Sequence, residues 1–131
     1  GQLSLANIGD SRAYLLQGGG IRQITQDHSL VQAMVARGEL TREQARVHPK
    51  KNLITRALGV EAEVEADFFQ VTAQSGDRLL LCSDGLSNVL PDSELLELCR
   101  EGQLEECCRR LMARTLELGA PDNVSIVMAQ L

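Results

Sequence analysis

The stretch Arg78-Leu79-Leu80-Leu81-Cys82-Ser83-Asp84-Gly85 constrains this chain more than any other. Four consecutive apolar residues, Leu79 to Cys82, fit a strand buried on both faces or deep in a sandwich core. The run stops abruptly at Ser83-Asp84-Gly85. A carboxylate at the end of a buried strand, followed by a glycine that lets the backbone turn sharply, presents an oxygen ligand from a rigid base. An isolated Ser-Asp-Gly can equally start an ordinary turn. Two further aspartates, Asp10 and Asp122, occupy the same kind of place. Three carboxylates at strand ends point to a hard-cation site.

The rest of the chain supplies a frame for that strand. Gln2 to Ile8 alternates loosely and reads as a strand. Gly9-Asp10-Ser11 is a turn signal, Arg12 to Gln17 a second strand, and Ile21 to Thr25, after Gly18-Gly19-Gly20, a third. Strand, turn, strand, glycine turn, strand predicts an antiparallel meander. The glycine triplet lacks the Lys-Ser/Thr of a phosphate-binding loop and no helix follows it, so it reads as a hairpin turn.

From Asp27 the period changes. Leu30, Val31, Met34 and Val35 form a helical stripe, with Asp27 or Ser29 available as cap and Gly38 as terminator. Thr41-Arg42-Glu43-Gln44 fits a capping box, so a second short helix runs to about Val47. Arg56, embedded in the apolar run Leu53 to Leu58, reads as a salt-bridged residue, with anion binding as the other option. Val64 to Val71 is the next strand. A helix starts after Pro91-Asp92. The positions Leu104, Cys107, Cys108, Leu111, Met112, Thr115 and Leu118 give an amphipathic helix whose other face carries mixed charge. Val124 to Leu131 forms a last strand. Strands, a small helical insert, strands, helices and a final strand predict an α+β fold with helices packed on antiparallel sheet.

Composition removes several classes of function. A net charge of -5 and only three aromatic residues, Tyr14, Phe68 and Phe69, argue against nucleic acid as a partner. No apolar run approaches the ~18 residues of a membrane span, and no signal-peptide pattern opens the chain. Cys82, Cys99, Cys107 and Cys108 show no Cys-x-x-Cys spacing. Buried free thiols in a reducing cytoplasm are the expected state. The chain opens at Gly1 with a strand already under way, which suggests a start inside a larger domain.

Five motifs occur here in one order: Asn7-Ile8-Gly9-Asp10-Ser11-Arg12-Ala13-Tyr14, Gln26-Asp27-His28-Ser29, His48-Pro49 with Asn52-Leu53-Ile54-Thr55-Arg56-Ala57-Leu58-Gly59, Ser83-Asp84-Gly85-Leu86, and Pro121-Asp122-Asn123-Val124. Together they closely resemble the later part of the type 2C metal-dependent serine/threonine protein phosphatases, the bacterial branch above all. The resemblance implies a sandwich of two antiparallel β-sheets flanked by helices, here incomplete on its N-terminal side. It implies a Mg2+ or Mn2+ centre with two catalytic ions and an additional third. Asp84 and Asp122 would be ligands of the catalytic ions, and Asp10, with help from Asp84, of the third. Residues 29–51 would be the flap beside the active site.

The chemistry accounts for these residue types. A phosphate monoester repels hydroxide through its own charge, and paired divalent cations neutralise that charge and activate a bridging water. Such cations prefer carboxylate oxygens, so His28 and His48 read as structural residues. The substrate implied is a phosphoprotein, a target of a serine/threonine kinase.

The departures from the family pattern matter equally. The Asp-Gly-x-Gly-Gly motif whose aspartate bridges both ions is absent, as is the arginine that grips the phosphate. The chain alone is therefore expected to be inactive. Exposed sheet edges should lead it to self-associate or to receive an N-terminal half. The competing reading is a non-catalytic, phosphatase-like module that binds a phosphoprotein or another subunit.

Overall fold

Which strands have one apolar face and which have two decides how the sheets are arranged. The computed structural model describes residues 1–131. Its elements run β1 (Gln2–Asn7), β2 (Arg12–Gln17), β3 (Gly20–Gln23), α1 (Leu30–Ala36), α2 (Arg42–Arg46), β4 (Asp67–Thr72), β5 (Arg78–Cys82), α3 (Asp84–Ser87), α4 (Asp92–Cys99), α5 (Leu104–Glu117) and β6 (Ile126–Gln130). β2 and β5 carry apolar side chains on both faces and lie at the centre of a four-stranded antiparallel sheet ordered β3-β2-β5-β6. β1 offers one apolar face, Leu3 and Leu5. It pairs instead with β4 in a separate two-stranded sheet, with Leu5 opposite Phe69 and Leu3 opposite Val71.

The expected meander over the first three strands is thus only half present. β2 and β3 form the glycine-turn hairpin, but the Gly9 turn carries the chain from one sheet to the other. The alternation in β1 is that of a strand with one buried side, which suits an outer layer.

Two apolar layers result. Between the sheets, Ala13, Leu15 and Ile24 pack with Leu3, Leu5, Phe69, Val71 and Leu79. On the opposite face of the larger sheet, Tyr14, Leu16, Leu80 and Cys82 meet Leu86, Leu90, Leu95, Cys99 and Leu111 from the helical segments. The architecture is α+β, antiparallel sheet on sheet with helices outside. β5 is not covered along its whole length, however. Leu81, facing Val127 across the β5–β6 ladder, is 37 % exposed and Val127 is 60 % exposed. The two-stranded sheet is too narrow to reach them.

Helix ends follow their local chemistry. Ser29, not Asp27, caps α1, its Oγ accepting from the Gln32 amide at 3.2 Å. The capping box at α2 is complete: the Gln44 amide donates to Thr41 Oγ1 at 3.1 Å and the Thr41 amide to Gln44 Oε1 at 2.9 Å. In α5 the buried stripe Cys107, Leu111, Thr115 has a spacing of four residues, and the Thr115 hydroxyl donates to the Leu111 carbonyl at 2.8 Å. Arg78 and Arg110 hold the last carbonyls of α4, Cys99 and Leu98, and those of Gly102 and Glu101 in the connection to α5. All four cysteines are free thiols, and burial pushes Cys82 and Cys99 up to about 12. No helix is long and apolar enough to cross a membrane.

Candidate functional site

Asp10 stands in the turn between β1 and β2, and Asp84 at the first residue of α3, where β5 has just ended. β2 and β5 are hydrogen-bonded neighbours with Arg12 opposite Cys82, so adjacent strand ends bring the two aspartates to the same rim of the sheet. Both line a cavity of about 380 Å³ that is closed on its other side by α1 and α2 through Val31, Val35 and Arg46. Asp10 and Asp84 face the same cavity, close enough for the charge of one to act on the other. Burial, then the charges of Asp84 and Asp27, pushes the Asp10 carboxyl up to about 6.

Beneath the cavity lies a second layer of charge. Arg12 grips Asp27 bidentately, Nε to Oδ1 at 2.9 Å and Nη2 to Oδ2 at 2.7 Å, and donates to the Tyr14 hydroxyl at 3.0 Å. Burial opposes the Arg12 charge, but the bond to Asp27 outweighs it and holds the guanidinium protonated. Burial also pushes the Tyr14 phenol up to about 12. The pair fixes Asp27 beside Asp10.

A third group holds the Asp10 turn itself. The Gly9 amide donates to His28 Nδ1 at 3.0 Å, and the His28 amide returns a bond to the Gly9 carbonyl at 2.9 Å. His28 Nε2 lies 2.8 Å from Asp67 Oδ2, and Arg56 Nη1 donates to Asp67 Oδ1 at 3.0 Å. The hydrogen bond from His28, then that from Arg56, holds Asp67 below the usual carboxylate range. Arg56 is therefore the salt-bridged residue its apolar surroundings suggested. His48 is half-buried and accepts from the Lys50 amide at 3.1 Å.

The helical pair is tied down over the cavity from α2. Arg46 donates to the carbonyls of Ser87 and Asn88 at 3.0 and 3.3 Å, and Arg42 lies 3.7 Å from Asp92. These contacts satisfy carbonyls at the C-terminal end of α3 that the short helix leaves free.

Asp122 is placed differently. It is exposed in the connection leading to β6, does not line the cavity, and its Oδ1 accepts from the Asn123 amide at 2.7 Å. The backbone beside it is nonetheless held at the end of β5. The Ser125 amide donates to Ser83 Oγ at 3.0 Å, and the Ser83 amide to the Ser125 carbonyl at 3.0 Å. Asp10 and Asp84 come together; the Asp122 carboxylate does not join them.

The expectation of a Mg2+ or Mn2+ centre with two catalytic ions and an additional third is corrected by this geometry. No group of three or more His, Cys, Asp or Glu side chains lies close enough together to hold a metal ion. Two carboxylates converge, fewer than a centre of two or three divalent ions shares among its ligands. These residues do not fit the cofactor as a complete ligand set.

Sequence reasoning passed over Asp27 and Arg46. Asp27 was visible as one of two possible caps and within Gln26-Asp27-His28-Ser29, with no role of its own, and the signal that could have separated it is Arg12, a buried cation needing a carboxylate. Nothing in the local pattern of α2 distinguishes Arg46 from the other exposed charges of that helix.

Comparison with known proteins bears out the resemblance drawn from the five motifs. The family described as Protein phosphatase 2C matches residues 1–124. The serine/threonine phosphatase stp of Listeria monocytogenes is 44% identical over 130 residues, which is 98% of this chain and 52% of that protein. The serine/threonine protein phosphatase PstP of Mycobacterium tuberculosis is 45% identical over 128 residues, 98% of this chain and 25% of that protein. The chain thus spans about half of one relative and a quarter of the other. The crystal structure of Mycobacterium tuberculosis PstP/Ppp superposes with a TM-score of 0.93 at 45% identity, covering 99% of this chain and 55% of that one. That of Stp1 from Staphylococcus aureus gives 0.95 at 39% identity, covering 99% and 52%. The Gly9-Asp10 turn, the strand ending at Asp84 and the connection through Asp122 all lie within the matched residues, and the chain belongs to the protein phosphatase 2C family.

Proposed function

We propose that these 131 residues are the C-terminal portion of a type 2C catalytic domain, and that the complete domain hydrolyses phosphoserine and phosphothreonine in proteins. The reading is supported above all by the Asp10–Asp84 pair facing one cavity in a chain that matches the family over residues 1–124. In the complete domain, Asp10 and Asp84, with Asp122 on the neighbouring connection, are this chain's acidic contribution to the active site.

Alone, the chain presents bare carboxylates to a dianionic substrate, and the repulsion leaves nothing to hold or activate it. It is therefore inactive by itself. Residues 29–51, which contain α1 and α2, serve as the flap, tied to the body by Arg46 and Arg42. The substrate class is a phosphoprotein made by a serine/threonine kinase. Leu81, Val127 and the free edge of β6 are where an N-terminal half would pack, and in its absence they favour self-association.

The test compares the full-length protein with residues 1–131 on a phosphothreonine peptide, following released phosphate. Turnover by the full-length protein and background rates from the fragment support the reading. Turnover by the fragment, or none from either, overturns it.

A further inference from the structure

His28 is buried, 6 % exposed, and both of its ring nitrogens are occupied. A backbone N–H can only donate, so the 3.0 Å bond from the Gly9 amide leaves Nδ1 as the unprotonated nitrogen. The hydrogen therefore sits on Nε2 and is donated to Asp67 Oδ2 at 2.8 Å. Asp67 is fixed in turn by Arg56, which also donates to the Glu65 carbonyl at 3.1 Å. The His28 amide donates to the Gly9 carbonyl at 2.9 Å, and the Asn7 side-chain amide reaches the same carbonyl at 3.4 Å.

Gly9 is thus held through its N–H and its C=O by one residue. It needs holding: its φ of +109° is one that L side chains rarely adopt, and a glycine there has the most conformational freedom to lose. The next residue is Asp10. Asp67 is paired with Asn7 across the β1–β4 ladder, so the chain from Arg56 through Asp67 and His28 anchors the turn to the two-stranded sheet.

We propose that His28, fixed as its Nε2–H tautomer between the Gly9 amide and the Asp67 carboxylate, is a positioning residue that sets the Gly9–Asp10 turn and holds Asp10 at the cavity it shares with Asp84. The effect on turnover rests on the phosphatase reading above; the fixing of the turn does not.

Two substitutions separate the two ring contacts in the full-length protein. His28→Asn places an acceptor oxygen near the position of Nδ1 and keeps the Gly9 bond. His28→Gln reaches towards Asp67 and loses it. In His28→Gln, exchange of the Gly9 amide followed by NMR should accelerate at least about tenfold, and kcat on a phosphothreonine peptide should fall about tenfold or more, with KM within roughly twofold. His28→Asn should bring both back towards wild type. Unchanged Gly9 protection in His28→Gln overturns the proposal. So does wild-type kcat despite lost protection, or a fall in His28→Asn as deep as in His28→Gln.

If His28→Gln does not fold, the long-range 15N–1H correlations of the wild-type imidazole decide, and a proton on Nδ1 overturns the proposal. A wild-type protein without phosphatase activity sinks the reading of function, while the Gly9 exchange rates still decide the role of His28.

Discussion

Gly85 and the carbonyl of Asn123 are packed so tightly that a Cβ on Gly85 would stand 2.0 Å from the carbonyl oxygen. The glycine following Asp84 is thus required by close approach of another backbone, not by a sharp turn. It lies within α3, and the chain it admits is the one that carries Asp122.

The consequence for Gly85→Ala is direct. The atom in the way belongs to the backbone and cannot rotate aside, so α3 or the 121–125 connection must shift. The substitution should lower stability by about 3 kcal/mol, read as a lower denaturant midpoint with unchanged slope. Amides of Ser83 and Ser125 should lose protection first, because their mutual bonds hold that connection in place.

Asp10 makes the fold pH-sensitive in a defined direction. Its folded pKa of about 6 lies above the ordinary 3.8, so the folded state binds the proton more tightly. The resulting stabilisation is present below pH 4, fades as pH rises towards 6 and is gone above it. Asp10→Asn should be about 1 kcal/mol more stable than wild type near pH 7, after allowance for solvent screening of a half-exposed carboxyl. Denaturant titrations at pH 4 and pH 7 check this: the gain should shrink at the lower pH.

Asp67 works in the opposite sense. Its pKa is held low by His28 and then Arg56, so its contribution is present above the ordinary carboxylate range and is lost as pH falls through the lower folded value. Asp67→Asn should therefore flatten the acid limb of the stability curve. A wild-type acid limb in that variant would contradict the network.

The Arg12–Asp27 pair is mostly buried, with side chains 19% and 11% exposed. Removing one member strands the other, so Arg12→Met should cost about 3 kcal/mol. The double substitution Arg12→Met with Asp27→Leu should recover a large part of that loss. A double-mutant cycle in thermal unfolding measures the coupling, and simple additivity would contradict it.

Much of this architecture was legible in the residues. The run Leu79 to Cys82 marked β5, the Thr41–Gln44 box marked the start of α2, and the four-residue spacing of Cys107, Leu111 and Thr115 marked α5. Each of these signals is local and periodic. What escaped is non-local. Nothing in Leu3 and Leu5 says that β1 leaves its sequence neighbour to pair with β4, because one-faced alternation fits either partner. The convergence of Asp10 and Asp84 follows from neighbouring strand ends, but the outward placement of the Asp122 carboxylate depends on its bond to the Asn123 amide, which no pattern announces. His28 was readable as structural; that its two nitrogens tie Gly9 to Asp67 needed the third dimension.

The most direct measurement of the central claim is phosphate release from a phosphothreonine peptide by the full-length protein, its Asp84→Asn variant and the exposed-surface control Glu117→Gln. The account predicts turnover by the wild type and the control. It predicts a fall of about a hundredfold or more in Asp84→Asn, with the fold intact by circular dichroism. Equal rates for wild type and Asp84→Asn would contradict it.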